Sequence, residues 1–155
     1  MDDQHLVRWL LDRGIDLNKR CDWDLTPVSA AVKNGTLSTF KLLLKRGADL
    51  RCGQLLHWAI LRTKADAVVF VDWLLRLGLP INAIRYKEDR AAWIELWPVG
   101  MGTPLHHAVE NNREEMVNYL LWRGVDREVK DSLGRTARNF AMTAGNRRLV
   151  QLLDE

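Results

Sequence analysis

Three segments of the chain repeat one pattern, an apolar helical stripe that ends in Arg-Gly-x-Asp. They are VRWLLDRGIDLN (7–18), FKLLLKRGADLR (40–51) and VNYLLWRGVDRE (117–128). Gly14 and Gly47 are 33 residues apart, and Gly78 and Gly124 continue the series at irregular intervals. A glycine at the end of each stripe supplies the left-handed conformation that commonly closes a helix. The chain is therefore predicted to be a stack of similar helical units.

A second recurring segment precedes these stripes and predicts a shorter helix in each unit. It is seen as LTPVSAAVKNG (25–35), QLLHWAILRT (54–63), GTPLHHAVENN (102–112) and RTARNFAMTAG (135–145). Thr-Pro opens two of the four, and it favours a helix start because threonine can cap the helix and proline loses no hydrogen bond in the first turn. Each unit is thus a loop, a short helix, a turn, a longer helix and a glycine.

This pattern resembles the ankyrin repeat, in which a G-x-T-P-L-H-x-A-A segment leads into V-V-x-L-L-L-x-x-G-A-D. The resemblance covers nearly the whole chain and implies an all-α repeat solenoid, an ankyrin stack of helix-turn-helix units joined by hairpin loops. A single domain, 1–155, is expected. It would comprise a partial N-terminal repeat (4–20), repeats at 21–51, 52–83 and 103–129, an insertion finger (84–102) and a C-terminal capping repeat (130–155).

The adjacent histidines His106 and His107 occupy different columns of the repeat. His106 stands in the consensus histidine column, which holds Ser29, His57 and Asn139 in the other repeats. The resemblance implies that its imidazole ties one hairpin to the next through hydrogen bonds. The column of His107 holds Ala30, Trp58 and Phe140. A packed, neutral imidazole is expected there, with a ligand-contacting histidine as the alternative.

The hairpins differ in length, and two neighbouring ones depart in opposite directions. Gly47 to Gln54 spans 7 positions where Gly14 to Thr26 spans 12, and Gly78 to Thr103 spans 25. The longer segment is rich in aromatic and charged residues, which is not typical of a flexible linker. It is expected to be ordered and to lie over the gap left by the short hairpin. Its Trp93 and Trp97 would either contact a partner or pack as a satellite core.

The N-terminal layer is expected to be incomplete, since residues 4–13 supply only the second helix of a repeat. Leu6, Trp9 and Leu10 would then be less covered than in an internal repeat, which predicts self-association or pairing with an upstream segment. By their column, Trp9 and Trp73 are nevertheless predicted to pack between layers. Cys21 and Cys52 lie in successive hairpins, too far apart for a disulfide.

The leading functional hypothesis is a non-catalytic protein-recognition module that binds an unidentified protein partner through its concave face and the finger. The predicted contact residues are Trp23, Leu25, Lys33, Asn34, Arg62, Trp93, Trp97, Glu110, Asn111 and Arg135. The alternative is a small-molecule or enzymatic pocket under the finger, lined by Trp58, Trp93, Trp97 and His107.

Composition and motifs narrow the remaining classes of function. The net charge of +3 comes from 23 basic and 20 acidic side chains scattered along the chain, so no nucleic-acid partner is expected. Neither metal-ligand spacing nor a catalytic or cofactor motif is present, so no metal, cofactor or enzymatic activity is predicted. With no membrane span or secretory signal, the protein is expected in the cytoplasm, with the nucleus as a further possibility.

Overall fold

The computed structural model describes residues 3–21 and 24–155, except for the side chains of Asp3, Gln4, Leu6 and Trp97. Within those ranges the secondary structure is helical, apart from an isolated bridge between Cys21 and Leu25. The helices are α1 (Asp3–Leu11), α2 (Pro27–Asn34), α3 (Leu37–Lys45), α4 (Leu55–Ile60), α5 (Ala67–Arg76), α6 (Arg90–Leu96), α7 (Pro104–Glu110), α8 (Glu114–Trp122), α9 (Ala137–Thr143) and α10 (Arg147–Asp154). A 3-10 turn, Trp97–Val99, follows α6.

The helices pair as the repeat pattern predicts. Four pairs of consecutive helices pack against each other, and they are α2 with α3, α4 with α5, α7 with α8, and α9 with α10. The first helices of these pairs form one continuous row, α2, α4, α7 and α9, in which each contacts the next. Helix α1 packs on α3, as a second helix without a described first helix. The predicted all-α repeat fold is confirmed.

Local sequence explains where the first helices begin. Thr26, Thr103 and Thr136 each precede a first helix, and each forms a capping box with the residue three positions later. At the other end of the units, the predicted glycine caps adopt left-handed backbone conformations, with φ of 75° at Gly14 and 95° at Gly47. Such conformations are strained for residues with a Cβ, so glycine fits there.

The main core lies between the first helices and the second helices of the repeats. Phe40 of α3 and Phe70 of α5 are fully buried, and their ring centroids lie 5.7 Å apart in an edge-to-face arrangement. Trp73 packs on the same core, with its ring centroid 6.4 Å from that of Phe40. The prediction that Trp9 is a core residue is wrong, because Trp9 is 47% exposed and lies under the Arg13 guanidinium. Within the described residues, no helix packs on that side of α1 to cover Trp9.

The finger carries a small apolar cluster of its own. Tyr86, Ala92 and Met101 are buried together, and Trp93 and Leu96 pack against them. The side chain of Asp89 accepts a hydrogen bond from the backbone N–H of Ala92 and so caps the start of α6. The finger is therefore an ordered element with its own packing, as its aromatic content predicted.

Candidate protein-interaction surface

A column of side chain to backbone hydrogen bonds joins the first helices α2, α4 and α7 to the loop segment that precedes the next first helix or, for α4, to the end of the finger. The Ser29 hydroxyl donates to the Gly53 carbonyl at 2.7 Å, His57 Nε2 to the Gly102 carbonyl at 3.2 Å, and His106 Nε2 to the Arg135 carbonyl at 2.9 Å. These bonds are buried or partly buried, so they fix the relative positions of successive repeats. The structural role predicted for His106 is confirmed.

The imidazole of His106 is satisfied on both sides. Its Nδ1 accepts from the backbone N–H of Thr103 at 3.1 Å and contacts the Thr103 hydroxyl at 2.8 Å, so Nε2 carries the proton that is donated onward. Burial lowers the pKa of His106 below its ordinary value, because the charged form would be poorly solvated. The neutral side chain thus acts as a fixed hydrogen-bonding link.

The finger lies against the hairpin loop that precedes α2 and crosses the shortened hairpin loop that precedes α4, as the loop lengths predicted. Gln54 makes the connection, because its Nε2 donates to Asp24 Oδ2 at 2.8 Å and its Oε1 accepts from the backbone N–H of Tyr86 at 3.0 Å. The stem of the finger is closed by the Arg85 N–H, which donates to the Gly102 carbonyl at 3.0 Å. One amide side chain therefore bridges the space that a full-length hairpin would occupy.

A cluster of aromatic and cationic side chains forms where the finger meets the row of first helices. The Lys33 ammonium lies 4.5 Å from the ring centroid of Trp58. The Arg85 guanidinium carbon lies 5.0 Å from the same centroid and 4.8 Å from that of Tyr86. Cation–π contacts of this kind fix the orientation of long basic side chains that would otherwise be mobile. We call these residues, Lys33, Trp58, Arg85 and Tyr86, the Trp58 cluster.

His107 lies beside this cluster and is buried. Its ring meets that of His57 edge to face, with centroids 5.3 Å apart. Burial, reinforced by the positive charge of Arg85, lowers the pKa of His107 to about 3. Its Nε2 has no hydrogen-bond partner, and its Nδ1 lies 3.6 Å from Glu110 Oε2. The imidazole is therefore neutral near pH 7, as packing predicts, and a pKa so far below 7 makes it too weak a base for efficient general-base catalysis at that pH.

The prediction that Arg62 is a surface contact residue is wrong. Its side chain is 1% exposed and donates to the carbonyls of Val32 and Gly35, each at 2.9 Å, as well as to the Asp66 carboxylate. Its guanidinium carbon also lies 4.2 Å from the centroid of the Phe70 ring. Arg62 thus satisfies carbonyls at the end of α2 from inside the stack.

The other predicted contact residues differ in exposure. Asn34, Glu110 and Asn111 are exposed at the ends of the first helices, whereas Leu25, Lys33 and Arg135 are partly buried. Arg135 pairs with Asp131 at 2.7 Å and stacks on Phe140, with its guanidinium carbon 4.4 Å from the ring centroid. Trp23 and the side chain of Trp97 lie outside the described residues.

The four residues predicted to line a pocket separate into two groups. Trp58 and His107 lie at the first-helix row, where Arg85 faces Trp58 and lowers the pKa of His107. Trp93 packs in the finger cluster with Tyr86 and Met101, which corresponds to the satellite-core interpretation. Among the described side chains of the finger, the large apolar ones that are exposed are Ile94 and Val99, at 61% and 68%.

An uncharged groove lies at the N-terminal end of the stack, where a first helix would pair with α1. Its volume is about 350 Å³, and it is lined by Val7, Leu10 and Leu11 on one side and by Ala30 and Ala31 of α2 on the other. The N-terminal layer, which the sequence predicts to be poorly covered, therefore presents a concave apolar surface.

Sequence reasoning missed Arg85, Tyr86 and Gln54, although each is central to the site. Gln54 stands in the threonine column and immediately precedes α4 in the left-handed conformation, with φ of 51° and no side-chain cap. Two features of the sequence could have indicated the role of Gln54: it replaces the capping threonine, and it follows the shortest hairpin loop. A side chain that does not cap its own helix is free to make longer-range contacts. Arg85 gave no such signal, because a basic residue in a loop is ordinarily solvated.

The described residues also bear on other classes of function. Within residues 3–21 and 24–155, no cluster of three or more histidine, cysteine, aspartate or glutamate side chains is arranged to hold a metal ion. Across the same part of the chain, every helix is too short or too polar to span a bilayer. Cys21 and Cys52 are free thiols, and Arg20 Nη2 lies 2.9 Å from the Cys52 sulfur.

Comparison with known proteins agrees with this architecture. A family model described as ankyrin repeats (three copies) matches residues 2–85 and 81–155. The chain is 25% identical to alpha-latrocrustotoxin-Lt1a of Latrodectus tredecimguttatus, a match that covers 92% of this chain and 10% of the toxin. It is 29% identical to the putative ankyrin repeat protein FPV031 of fowlpox virus (strain NVSL), over 96% of this chain and 42% of the viral protein.

A third relative is the ankyrin repeat and SOCS box protein 11 of Mus musculus, which is 26% identical over 84% of this chain and 36% of the mouse protein. The chain spans less than half the length of these curated relatives. The paired helices and the hydrogen-bonded column define a helical repeat solenoid. The chain belongs to the ankyrin-repeat family, whose repeats generally mediate protein–protein interaction and are typically non-catalytic.

Proposed function

We propose that the protein is a non-catalytic recognition module that binds a protein partner along the concave face formed by the first helices and the finger. The observation that supports this most directly is the column Ser29, His57 and His106, whose hydrogen bonds hold successive first helices in fixed register. A surface that is rigid before binding loses little conformational entropy when a partner docks.

The proposed contact surface combines exposed polar side chains with the Trp58 cluster. Asn34, Glu110 and Asn111 are exposed at the ends of first helices, and Leu25 and Arg135 are partly buried residues just before first helices. The finger contributes Ile94 and Val99, whose exposed apolar side chains lie near the partly buried Trp93 along α6 and the turn that follows. Aromatic and arginine side chains on such a surface commonly dominate the free energy of binding.

Site-specific photocrosslinking tests this proposal even when the partner is unidentified. A benzoyl-phenylalanine replaces Asn111 on the proposed face or, as a matched control, Asn118, which is exposed on α8. In extract of the expressing cells, irradiation should link a discrete protein to position 111 but not to position 118. Equal capture at the two positions, or capture only at position 118, would place binding elsewhere on the stack.

We propose self-association as a second, weaker property, located at the N-terminal groove. The supporting observation is the uncharged concave surface between α1 and α2, which Ile15 lines with 45% of its surface exposed, together with Trp9, which is 47% exposed on α1. Apolar surfaces of this kind favour association in water. Replacing Leu10 with glutamate should convert a concentration-dependent sedimentation coefficient into a constant one. A strictly monomeric wild-type protein at high concentration would refute this proposal.

A further inference from the structure

The Trp58 cluster holds two cationic side chains from distant parts of the chain against one indole. Lys33 comes from the end of α2 and Arg85 from the stem of the finger, and their charged groups lie 4.5 and 5.0 Å from the ring centroid. The indole attracts each cation, but the two cations repel each other. A negatively charged group beside them would offset that repulsion by attracting both.

Neither cation has a carboxylate partner among the described residues. Arg62, Arg123 and Arg135 each form an ion pair, with Asp66, Asp72 and Asp131 respectively. Lys33 and Arg85 form none within the described part of the chain, and the hydrogen bond that Arg85 makes through its side chain runs from Nη2 to the neutral hydroxyl of Tyr86 at 3.0 Å. A partly buried guanidinium without a counter-charge is unfavourable, so this arrangement favours the arrival of an anion.

Hydrogen-bond donors at the same place lack acceptors. Arg85 Nε and Trp58 Nε1 are both buried, and neither has a hydrogen-bond partner in the described structure. Both groups can only donate, and because both atoms are buried, an incoming acceptor reaches them only when the surrounding side chains shift. The neighbouring carboxylate of Glu110 does not fill this role, because it lies toward His107 Nδ1, at 3.6 Å. Positive charge and unfilled donors are therefore both found around the indole of Trp58.

We propose that the Trp58 cluster binds the carboxylate of an aspartate or glutamate side chain in an acidic segment of the protein partner. The carboxylate accepts hydrogen bonds from the Arg85 guanidinium and pairs with the Lys33 ammonium, while the partner chain packs on the exposed edge of Trp58. Arginine is well suited to this contact, since its planar fork can donate two parallel hydrogen bonds to a carboxylate. This inference rests on the proposed function, because it assumes that a protein partner occupies the first-helix face.

Selection from a random peptide display library tests the inference, with the intact protein immobilised. The selected peptides are synthesised with a fluorophore, and their affinities are measured by fluorescence polarisation. We expect acidic peptides whose affinity falls about tenfold with Arg85→Gln and about fivefold with Lys33→Gln. Replacing the acidic residue of the peptide with its amide should weaken binding to the wild-type protein and abolish the effect of Arg85→Gln.

Lys41 supplies a matched control, because its ammonium lies 4.5 Å from the ring centroid of Trp73, the same distance as in the Lys33–Trp58 pair. Lys41→Gln should leave the affinity within about twofold. Circular dichroism and the melting temperature establish that the variants are folded, and the peptide substitution requires no protein variant at all. Raising NaCl from about 50 to about 500 mM should weaken the wild-type complex, since exposed charge pairs are screened.

The outcomes separate this inference from the proposed function. Peptides that crosslink at position 111 but lack an acidic residue, or whose affinity is unchanged by Arg85→Gln, would overturn the carboxylate assignment and leave the recognition function in place. A selection that yields no peptide, or only peptides that bind outside the first-helix face, would count against both. Saturation by succinate alone at micromolar concentration would identify a small dicarboxylate as the occupant and overturn the assignment to a partner protein.

Discussion

Two junctions between repeats use the same histidine column in different surroundings. At the regular junction, between α7 and α9, Thr103 caps the helix and His106 is hydrogen-bonded through both nitrogens. At the irregular junction, between α4 and the finger, Gln54 begins the helix without a side-chain cap and reaches instead to Asp24 and Tyr86. The regular junction is held by hydrogen bonds within and between adjacent repeats, whereas the irregular junction depends on contacts with the first hairpin loop and the finger.

The difference extends to the buried polar atoms. Among the described residues, four side-chain atoms are buried without a hydrogen-bond partner. They are Trp58 Nε1, Arg85 Nε, His107 Nε2 and Asp24 Oδ1, the last of which forms an ion pair with Arg20 Nε at 3.3 Å. All belong to the irregular junction or its immediate neighbours, and the Thr103–His106 link contributes none. The regular junction therefore satisfies its buried polar groups internally, whereas the irregular junction leaves several of them without a hydrogen bond within the described residues.

The largest effect is expected at Arg62, which stands in the column occupied by the exposed Asn34 and Asn111. Arg62→Met should lower the free energy of unfolding by about 3–5 kcal/mol, because carbonyls at the end of α2 and the Asp66 carboxylate lose their buried partner. Chemical denaturation measures this. As a control, Arg76→Met removes the 74% exposed partner of Asp72 and should cost about 0.5 kcal/mol. Similar losses in both variants would contradict a special role for Arg62.

A smaller loss is expected when a Cβ is added in the shortened hairpin. Gly53 has φ of 86°, and a Cβ there would collide with the Ser29 hydroxyl oxygen, which donates to the Gly53 carbonyl. Gly53→Ala should therefore destabilise the fold by about 3 kcal/mol, through backbone strain and the broken link. Gly47→Ala is the matched control, since Gly47 has φ of 95° and open space around it, and only the strain of about 1 kcal/mol remains. Equal melting temperatures for the two variants would contradict this.

The sequence predicted the fold almost completely, because ankyrin-like periodicity, threonine caps and glycine ends are local signals. It also predicted that the finger lies over the shortened hairpin, since that inference needs only loop lengths. Arg62 was misplaced because its column is exposed in neighbouring repeats, and only the contact with α2 turns it inward. Arg85 was missed because its site is assembled from the finger and two first helices, a long-range arrangement that no local pattern specifies.

At the regular junction, His106→Ala should lower the free energy of unfolding by about 1–3 kcal/mol, because the Thr103 N–H and the Arg135 carbonyl lose a buried partner. His106→Asn should recover part of the loss, since Asn139 makes the equivalent capping bonds with Thr136. Thermal unfolding checks both variants. A metal chelator should leave the melting temperature unchanged, and a shift on chelation would show that the imidazole has a ligand role instead.

The smallest effect near pH 7 is expected at the neighbouring His107. His107→Phe copies Phe140, retains the edge-to-face contact with His57 and removes a buried nitrogen that has no partner, so stability at pH 7 should change by less than about 1 kcal/mol. At lower pH the two proteins should diverge. The unfolded chain binds a proton at His107 near pH 6.5, whereas the folded chain does so only near pH 3, so wild-type stability falls as the pH decreases between these values.

At pH 5 this difference in proton binding costs the wild-type protein about 2 kcal/mol at His107, since each pKa unit corresponds to about 1.4 kcal/mol. His107→Phe removes that cost, so the variant should be the more stable protein at pH 5, and urea denaturation at the two pH values measures the crossover. His106→Asn is the contrasting variant. It should be less stable than the wild type already at pH 7, because the His106 imidazole makes hydrogen bonds that the asparagine restores only in part. If His107→Phe were equally destabilised at both pH values, the His107 imidazole would hold a structural hydrogen bond like that of His106, and the distinction between the two junctions would fail.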